Sequence, residues 1–431
     1  MNIQGWQRGA GAIVVMVLGL APAVAQAAQS LRTEVLQPER HHLRVEDLPA
    51  PNERESVNQR PDVVKVPANP VLRAPAGFKV NLFAEGVSGA RWLVLTPGGD
   101  VLVTQKRGND IVLLRDRDGD GVAEDRRAFA SRRNALNLPF GIAFADGHIF
   151  IANTDGVRKY AYRDGQDELQ GRGEQIHELP GGGYNQHWTR NLVLGPDGRT
   201  LFVTVGSESN VDVEPAPRAS VMTMNLEGGQ SRIFASGLRN PIGLAFHPQT
   251  REPYVVVNER DRLGDRLVPD YFTRLQEGGF YGWPFSYLKA DLLDPRRTKN
   301  GRSERPDLAE KTLTPDVLIE AHAAALGLTF YTGNVFPERY RRGAYAALHG
   351  SWNRSQAAGY KLIFFPFTAD HRPEGGYEDF VTGFVLDRNK PTVWGRPVGL
   401  VELPDGSLLF ADDENDRVYR VSYDTSSAGT R

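Results

Sequence analysis

The feature that most narrows the folds open to this chain is a repeat of one unit: an apolar strand, a Pro/Asp/Gly turn, and a second strand. It runs from Arg91 to Thr104 and returns from Pro139 to Ala152, Asn191 to Thr204, Pro241 to Val257, Gly327 to Leu348 and Val398 to Ala411. The first four copies begin about 50 residues apart, room for four strands each, and the wider later gaps predict insertions. Exposed strand edges invite aggregation, and radial sheets closed into a ring protect them. The expected fold is therefore all-β: a six-bladed β-propeller with an N-terminal extended arm and loop insertions. The strand from Phe78 to Phe83 is expected to pair with the C-terminal strands near Val418 to Val421 and close the ring. A pair of β-sandwiches competes but predicts no such period.

Four segments follow. Residues 1–28 read as a signal peptide, with Arg8 as the charge, Ala10 to Leu20 as the apolar stretch and small residues at Ala23 to Ala27 for cleavage. This stretch is short and broken by Pro22, so a periplasmic or secreted chain with no transmembrane segment after signal removal is expected. Residues 29–76 form an extended polar arm or linker punctuated by prolines, in which the adjacent His41 and His42 read as solvated. Residues 77–423 are the propeller and 424–431 a disordered tail. The main insertion, Arg262 to Ala325, holds an aromatic-glycine patch from Gly278 to Pro284, expected to wall the channel, and an exposed polar loop.

Composition removes whole classes of function. A net charge of −2 without a long basic run argues against nucleic-acid or membrane-surface partners. The chain has no cysteine, which excludes disulfides, thiolate metal sites, cysteine nucleophiles and a covalently attached c-type haem. Redox chemistry then requires an added cofactor. No nucleophile elbow, Walker loop or dinucleotide fingerprint stands between a strand and a helix.

Three residues stand just ahead of inner strands and are expected to meet at one mouth of the central channel: His187, Arg239 and Arg396. An imidazole there can act as general base, and guanidinium groups can hold an anionic cofactor. Separately, Asp116, Asp118 and Asp120 alternate ahead of Gly121, the spacing of a Ca²⁺ loop. The twelfth loop position is Arg127, so Glu124 or Asp125 would have to replace the usual glutamate; an ordinary hairpin turn is the alternative.

The order of Asn185-Gln-His-Trp, Gly237-Leu-Arg-Asn-Pro-Ile-Gly, Gly278-Gly-Phe-Tyr-Gly-Trp-Pro, Gly327-Leu-Thr-Phe-Tyr and His349-Gly-Ser-Trp-Asn-Arg354 resembles the glucose/sorbosone dehydrogenase family of quinoproteins. Asn258 to Asp265 adds likeness to its sorbosone and pyranose dehydrogenase-like branch. The resemblance spans about Gly77 to Tyr423 and implies a six-bladed propeller that binds pyrroloquinoline quinone (PQQ) and calcium. It implies His187 as catalytic base, with Arg239, Asn240 and Arg396 on the cofactor, Gln186 beside the base where aspartate is common, and Arg354 in place of a cofactor-binding lysine. A second arginine expected two places after Arg396 is Val398 here. The cofactor calcium would be held by backbone carbonyls near Arg260 and Asp261. The implied activity is oxidation of an aldose or sugar aldehyde by hydride transfer to the quinone, with electrons passing to a separate acceptor, a soluble cytochrome or quinone. A calcium-dependent propeller lactonase, which needs acidic side chains at the strand mouths, and a non-catalytic binding module are the alternatives.

Overall fold

The structure, a computed structural model, describes residues 31–106, 108–182 and 187–424. The expected signal peptide, Gln186 and residues 425–431 of the tail lie outside them. The described residues are built almost wholly of strands, with two single-turn α-helices, Pro306–Ala309 and Glu338–Arg341.

Each copy of the sequence repeat supplies the first two strands of a four-stranded antiparallel sheet. The first sheet is Ala90–Leu95, Val101–Gln105, Ile111–Arg115 and Asp125–Ala130; the second is Ile142–Ala145, His148–Asn153, Gly156–Ala161 and Glu174–Glu178. The third is Leu192–Leu194, Thr200–Val205, Ser220–Asn225 and Arg232–Ser236; the fourth is Asn240–Phe246, Pro253–Asn258, Pro269–Arg274 and Val317–Ala321. The fifth is Ala325–Phe330, Gly343–Leu348, Lys361–Pro366 and Tyr377–Val381. The sixth joins Pro397–Glu402, Leu408–Asp412 and Arg417–Tyr423 to a strand from the other end of the propeller segment, Phe78–Glu85. In that pairing Val80 lies opposite Val421 and Ala84 opposite Val418, as the sequence led us to expect.

Apolar side chains fill the space between successive sheets. Leu113 and Phe129 of the first sheet meet Ile149 and Ile151 of the second, and Phe150 of the second meets Leu201 and Met222 of the third. The series continues through the fourth and fifth sheets to the sixth. Leu409 and Val418 of the sixth then pack on Leu93 and Val103 of the first. A strand with a neighbouring sheet on either face buries both of its faces, which is why segments such as Leu408–Asp412 are continuously buried and do not alternate. Between the sixth and first sheets the backbones approach so closely that a Cβ at Gly399 would stand 2.7 Å from the Arg91 carbonyl oxygen. The architecture is that of a β-propeller.

One further cluster lies where the inner strands converge. Trp92, Ile242, Leu326 and Val398, one from each of four sheets, pack together with Phe140 and Trp188, from the segments leading into the second and third sheets. They form an apolar plug, and Val398 is fully buried in it.

The arm is pinned to the propeller. Within the arm Arg32–Val35 pairs with Val71–Ala74; Arg40–His41 adds a strand to the edge of the fifth sheet, and Asp62–Val63 pairs with Thr392–Val393. His41 is not simply solvated: its Nε2 lies 3.0 Å from Asp379, and its ring stacks on Tyr377. The aromatic-glycine patch lies along the edge of the third sheet, where Phe280 bridges Ser236 and Thr312, and it does not line the cavity described next.

Candidate active site

Above the plug opens a cavity of about 220 Å³. Its wall includes His187, Arg239, Asn240, Asp261 and Arg396, brought from the approaches to the third, fourth and sixth sheets and from the turn after Asn258. Trp188, Ile242 and Leu326 of the plug line it too. His187, Arg239, Asn240 and Arg396 meet because each precedes or begins an inner strand, and inner strands converge on the axis.

His187 is buried, with Nδ1 lying 2.8 Å from the carbonyl oxygen of Ser207. A carbonyl only accepts, so Nδ1 carries the proton and Nε2 is the basic nitrogen. Burial, reinforced by the charge of Arg239, lowers the imidazole pKa to about 3, so the ring is neutral. Gly206 fits between this histidine and Asn240: a Cβ there would stand 2.6 Å from the His187 Cβ and 2.4 Å from Asn240 Oδ1.

Arg239 is held from several sides. It donates to the carbonyl oxygens of Glu259 at 2.7 Å and Asn210 at 3.2 Å, to Asn210 Oδ1 at 3.0 Å and to Asp261 Oδ2 at 3.2 Å. Burial acts to raise the Asp261 pKa, but the Arg239 charge and His322 outweigh it, and the carboxylate stays ionised. Arg396 donates to the carbonyls of His349 and Gly350 and lies 5.8 Å from the Tyr360 ring centre.

Arg91, His349, Glu259 and Asp270 belong to the wall and are not among the site residues expected from the sequence. Arg91 lies 5.5 Å from the Trp188 ring centre and pairs with Asp413, which also lies 2.9 Å from His349 Nε2. Arg91 is the second residue of the inner strand Ala90–Leu95, inside the strand, whereas Arg239 and Arg396 stand just ahead of theirs. His349 lay within a quoted motif but had been given no role. Three acidic side chains also line the cavity: Asp261, Glu259 and Asp270. Burial raises the Glu259 pKa to about 7 and the Asp270 pKa to about 6.

The other predicted site residues lie elsewhere. Arg354 donates to the Ala321 carbonyl and pairs with Glu320, which directs it to the pocket beneath the arm; it does not line this cavity. The Arg260 side chain is buried against Asp294. The Asp261 carbonyl oxygen accepts from Asn210 Nδ2 at 3.1 Å and from Arg260 Nε at 3.2 Å, so both of its lone pairs are engaged. Asp116, Asp118 and Asp120 cluster with Glu124 on a hairpin of the first sheet, where their carboxylates accept from the amides of Gly119, Asp120, Gly121 and Val122.

The model of TrAA12-like proteins matches residues 72–269 and 297–424. The chain belongs to the TrAA12-like family. A curated relative in Borreliella burgdorferi, an uncharacterised protein, is 29% identical over 82% of this chain and 91% of its own length. The pyrroloquinoline quinone-dependent pyranose dehydrogenase of Coprinopsis cinerea is 24% identical over 53% of this chain and 38% of its own. The PQQ domain of that pyranose dehydrogenase, solved in its holo form, superposes with a TM-score of 0.68 at 20% identity, over 81% of this chain and 97% of the domain. A calcium structure of a Trichoderma reesei family AA12 carbohydrate-active enzyme reaches 0.71 at 18% identity, over 84% and 99%. This TrAA12-like chain thus shares their fold.

Proposed function

We propose that this chain is a PQQ-dependent sugar dehydrogenase, its six sheets forming the blades of a six-bladed propeller. The observation that carries the reading is the common wall of one cavity: a neutral imidazole with its basic nitrogen set by Ser207, and the guanidinium groups of Arg91, Arg239 and Arg396 from three other sheets. The donor set fits a planar polyanionic quinone. Arg91 Nε and Asn240 Oδ1 are buried in that wall with no hydrogen-bond partner among the described residues, and a ligand with both carboxylates and carbonyl oxygens would engage the arginine.

In this reading Arg91, Arg239, Asn240 and Arg396 bind and orient the cofactor. When bound, the quinone supplies the two-electron acceptor for the hydrogen that leaves the sugar carbon as hydride. His187 takes the proton of the reacting hydroxyl at Nε2, its ring held by the Nδ1 contact with Ser207. The plug of Trp92, Phe140 and Val398 keeps water from entering along the axis. Calcium does not fit at the Asp261 carbonyl, because Asn210 and Arg260 already donate to both lone pairs of that oxygen. Electrons pass to a separate acceptor, a soluble cytochrome or quinone. Aldoses and sugar aldehydes are the proposed substrates, and export through residues 1–28 the proposed route. No helix of the described residues is long and apolar enough to cross a membrane.

One observation favours a second reading, a calcium-dependent lactonase: Glu259, Asp270 and Asn258 share the cavity with the histidine. Adding PQQ to the purified protein, with and without Ca²⁺, and following quinone absorbance, dye reduction by sugars and lactone hydrolysis separates the two. Dye reduction that requires quinone is expected. Hydrolysis that requires Ca²⁺ alone overturns the first reading, and quinone binding without turnover leaves a binding module.

A further inference from the structure

A second cavity, of about 660 Å³, adjoins the first and shares Asp261, Trp352 and Arg396 with it. One side of it is made by the N-terminal arm. Gln59 donates its amide to the Trp352 carbonyl at 2.8 Å, Asp62 to that of Pro391 at 2.7 Å and Val64 to that of Val393 at 2.8 Å. Further back, Asn52 donates its amide to the Leu263 carbonyl at 2.8 Å, and Gly264 donates to Ser56 Oγ at 3.0 Å. The arm therefore crosses loops of the fourth, fifth and sixth sheets as a fixed wall, and Arg60 lies within its pinned segment.

The charge of this vestibule is not balanced. Its two carboxylates are already engaged: Asp261 with Arg239 and Glu414 with Lys106 and Arg396. Arg60 and Arg262 line the vestibule, are solvent-exposed, and have no ion-pair or hydrogen-bond partner among the described residues. The residues outside that set contain no aspartate or glutamate to pair with them. Trp352 adds a half-buried indole at the junction of the two cavities, a surface on which the C–H face of a pyranose can stack.

We propose that the vestibule selects pyranoses bearing an anionic group, a carboxylate or a phosphate, with Arg60 and Arg262 receiving the charge and Trp352 the ring. This rests on the sugar dehydrogenase reading for its substrate class. Guanidinium forks match both anions in geometry, and an exposed pair gives selectivity that declines as salt screens it.

The test is calorimetric titration of the full chain, with and without added PQQ, using glucuronate, glucose 6-phosphate and glucose at low and high salt. Tighter binding of one or both anionic sugars than of glucose is expected, with the difference reduced at high salt; the two anionic arms tell carboxylate from phosphate. Arg60→Ala and Arg262→Ala should each cut the anionic-to-neutral affinity ratio by about fivefold, and Arg60→Glu should cut it further, with melting temperatures confirming the fold. Equal affinity for all three sugars, or a ratio unchanged in the variants, overturns the proposal. So does a result in which the variants weaken only electron transfer to an acidic acceptor protein. Because binding is read directly, failure to load quinone or reduce dye defeats the dehydrogenase reading without deciding this one.

Discussion

His187 donates its Nδ1 proton to the carbonyl oxygen of Ser207 across 2.8 Å, which makes Nε2 the basic nitrogen of a neutral ring. A backbone carbonyl cannot exchange roles as a hydroxyl can, so this contact selects one tautomer as well as one orientation.

Removal of that base should slow turnover while leaving the arginines that hold the cofactor in place. For His187→Ala, sugar-dependent dye reduction by quinone-loaded protein is expected to fall by about 10²- to 10⁴-fold. Quinone absorbance titrations should stay close to those of the unaltered protein. A variant that reduces dye at the original rate contradicts the assignment.

The Arg239–Asp261 pair is buried, with side-chain exposures of 3% and 12%. Deleting one partner leaves the other charge desolvated, at a cost of about 3–5 kcal/mol. Arg239→Met should therefore lower the unfolding midpoint in urea and weaken quinone binding. Arg239→Met combined with Asp261→Asn should recover part of the stability but not the quinone affinity. Equal stability of the single and double variants would show that the pair is not coupled.

Val398 occupies the position where the resemblance led us to expect an arginine, and it is fully buried in the axial plug. Val398→Arg is expected to destabilise the protein by several kcal/mol, since a buried unpaired charge has no compensating partner there. Thermal melts and expression in soluble form check this. A variant with unchanged stability and tighter quinone binding would mean that the side chain reaches the cavity instead.

His247 packs among Phe330, Phe367 and His371, and its Nδ1 accepts from the amides of Gln249 and Thr250. Burial, aided by His371, lowers its pKa from 6.5 to about 4. Between those values the unfolded chain binds a proton that the folded chain excludes, so this contribution is complete above about pH 6.5 and declines as pH falls toward 4. Melting temperatures measured from pH 7.5 to 4.5 should drop, and His247→Asn should flatten the dependence. Parallel profiles for the two proteins would remove His247 as the source.

Much of this was legible from the chain alone because it is periodic. The repeats placed the first two strands of every sheet, and the requirement to protect strand edges called for the pairing of Phe78–Glu85 with Arg417–Tyr423. The convergence of His187, Arg239 and Arg396 followed from one local rule, that a residue just ahead of an inner strand faces the axis. Arg91 escaped notice because it lies inside its strand, where an arginine reads as an ordinary alternating polar residue.

Tertiary structure alone decided what depends on distant partners. Arg91 and Asp413 are 322 positions apart, and no local pattern announces their pairing. Arg354 turns to Glu320, the Asp261 carbonyl is taken by Asn210 and Arg260, and the arm crosses three sheets to carry Arg60 into the vestibule. Strand periodicity is a property of neighbouring residues, whereas the partner of a charge or a carbonyl depends on which of many distant groups the packing of the sheets brings within reach.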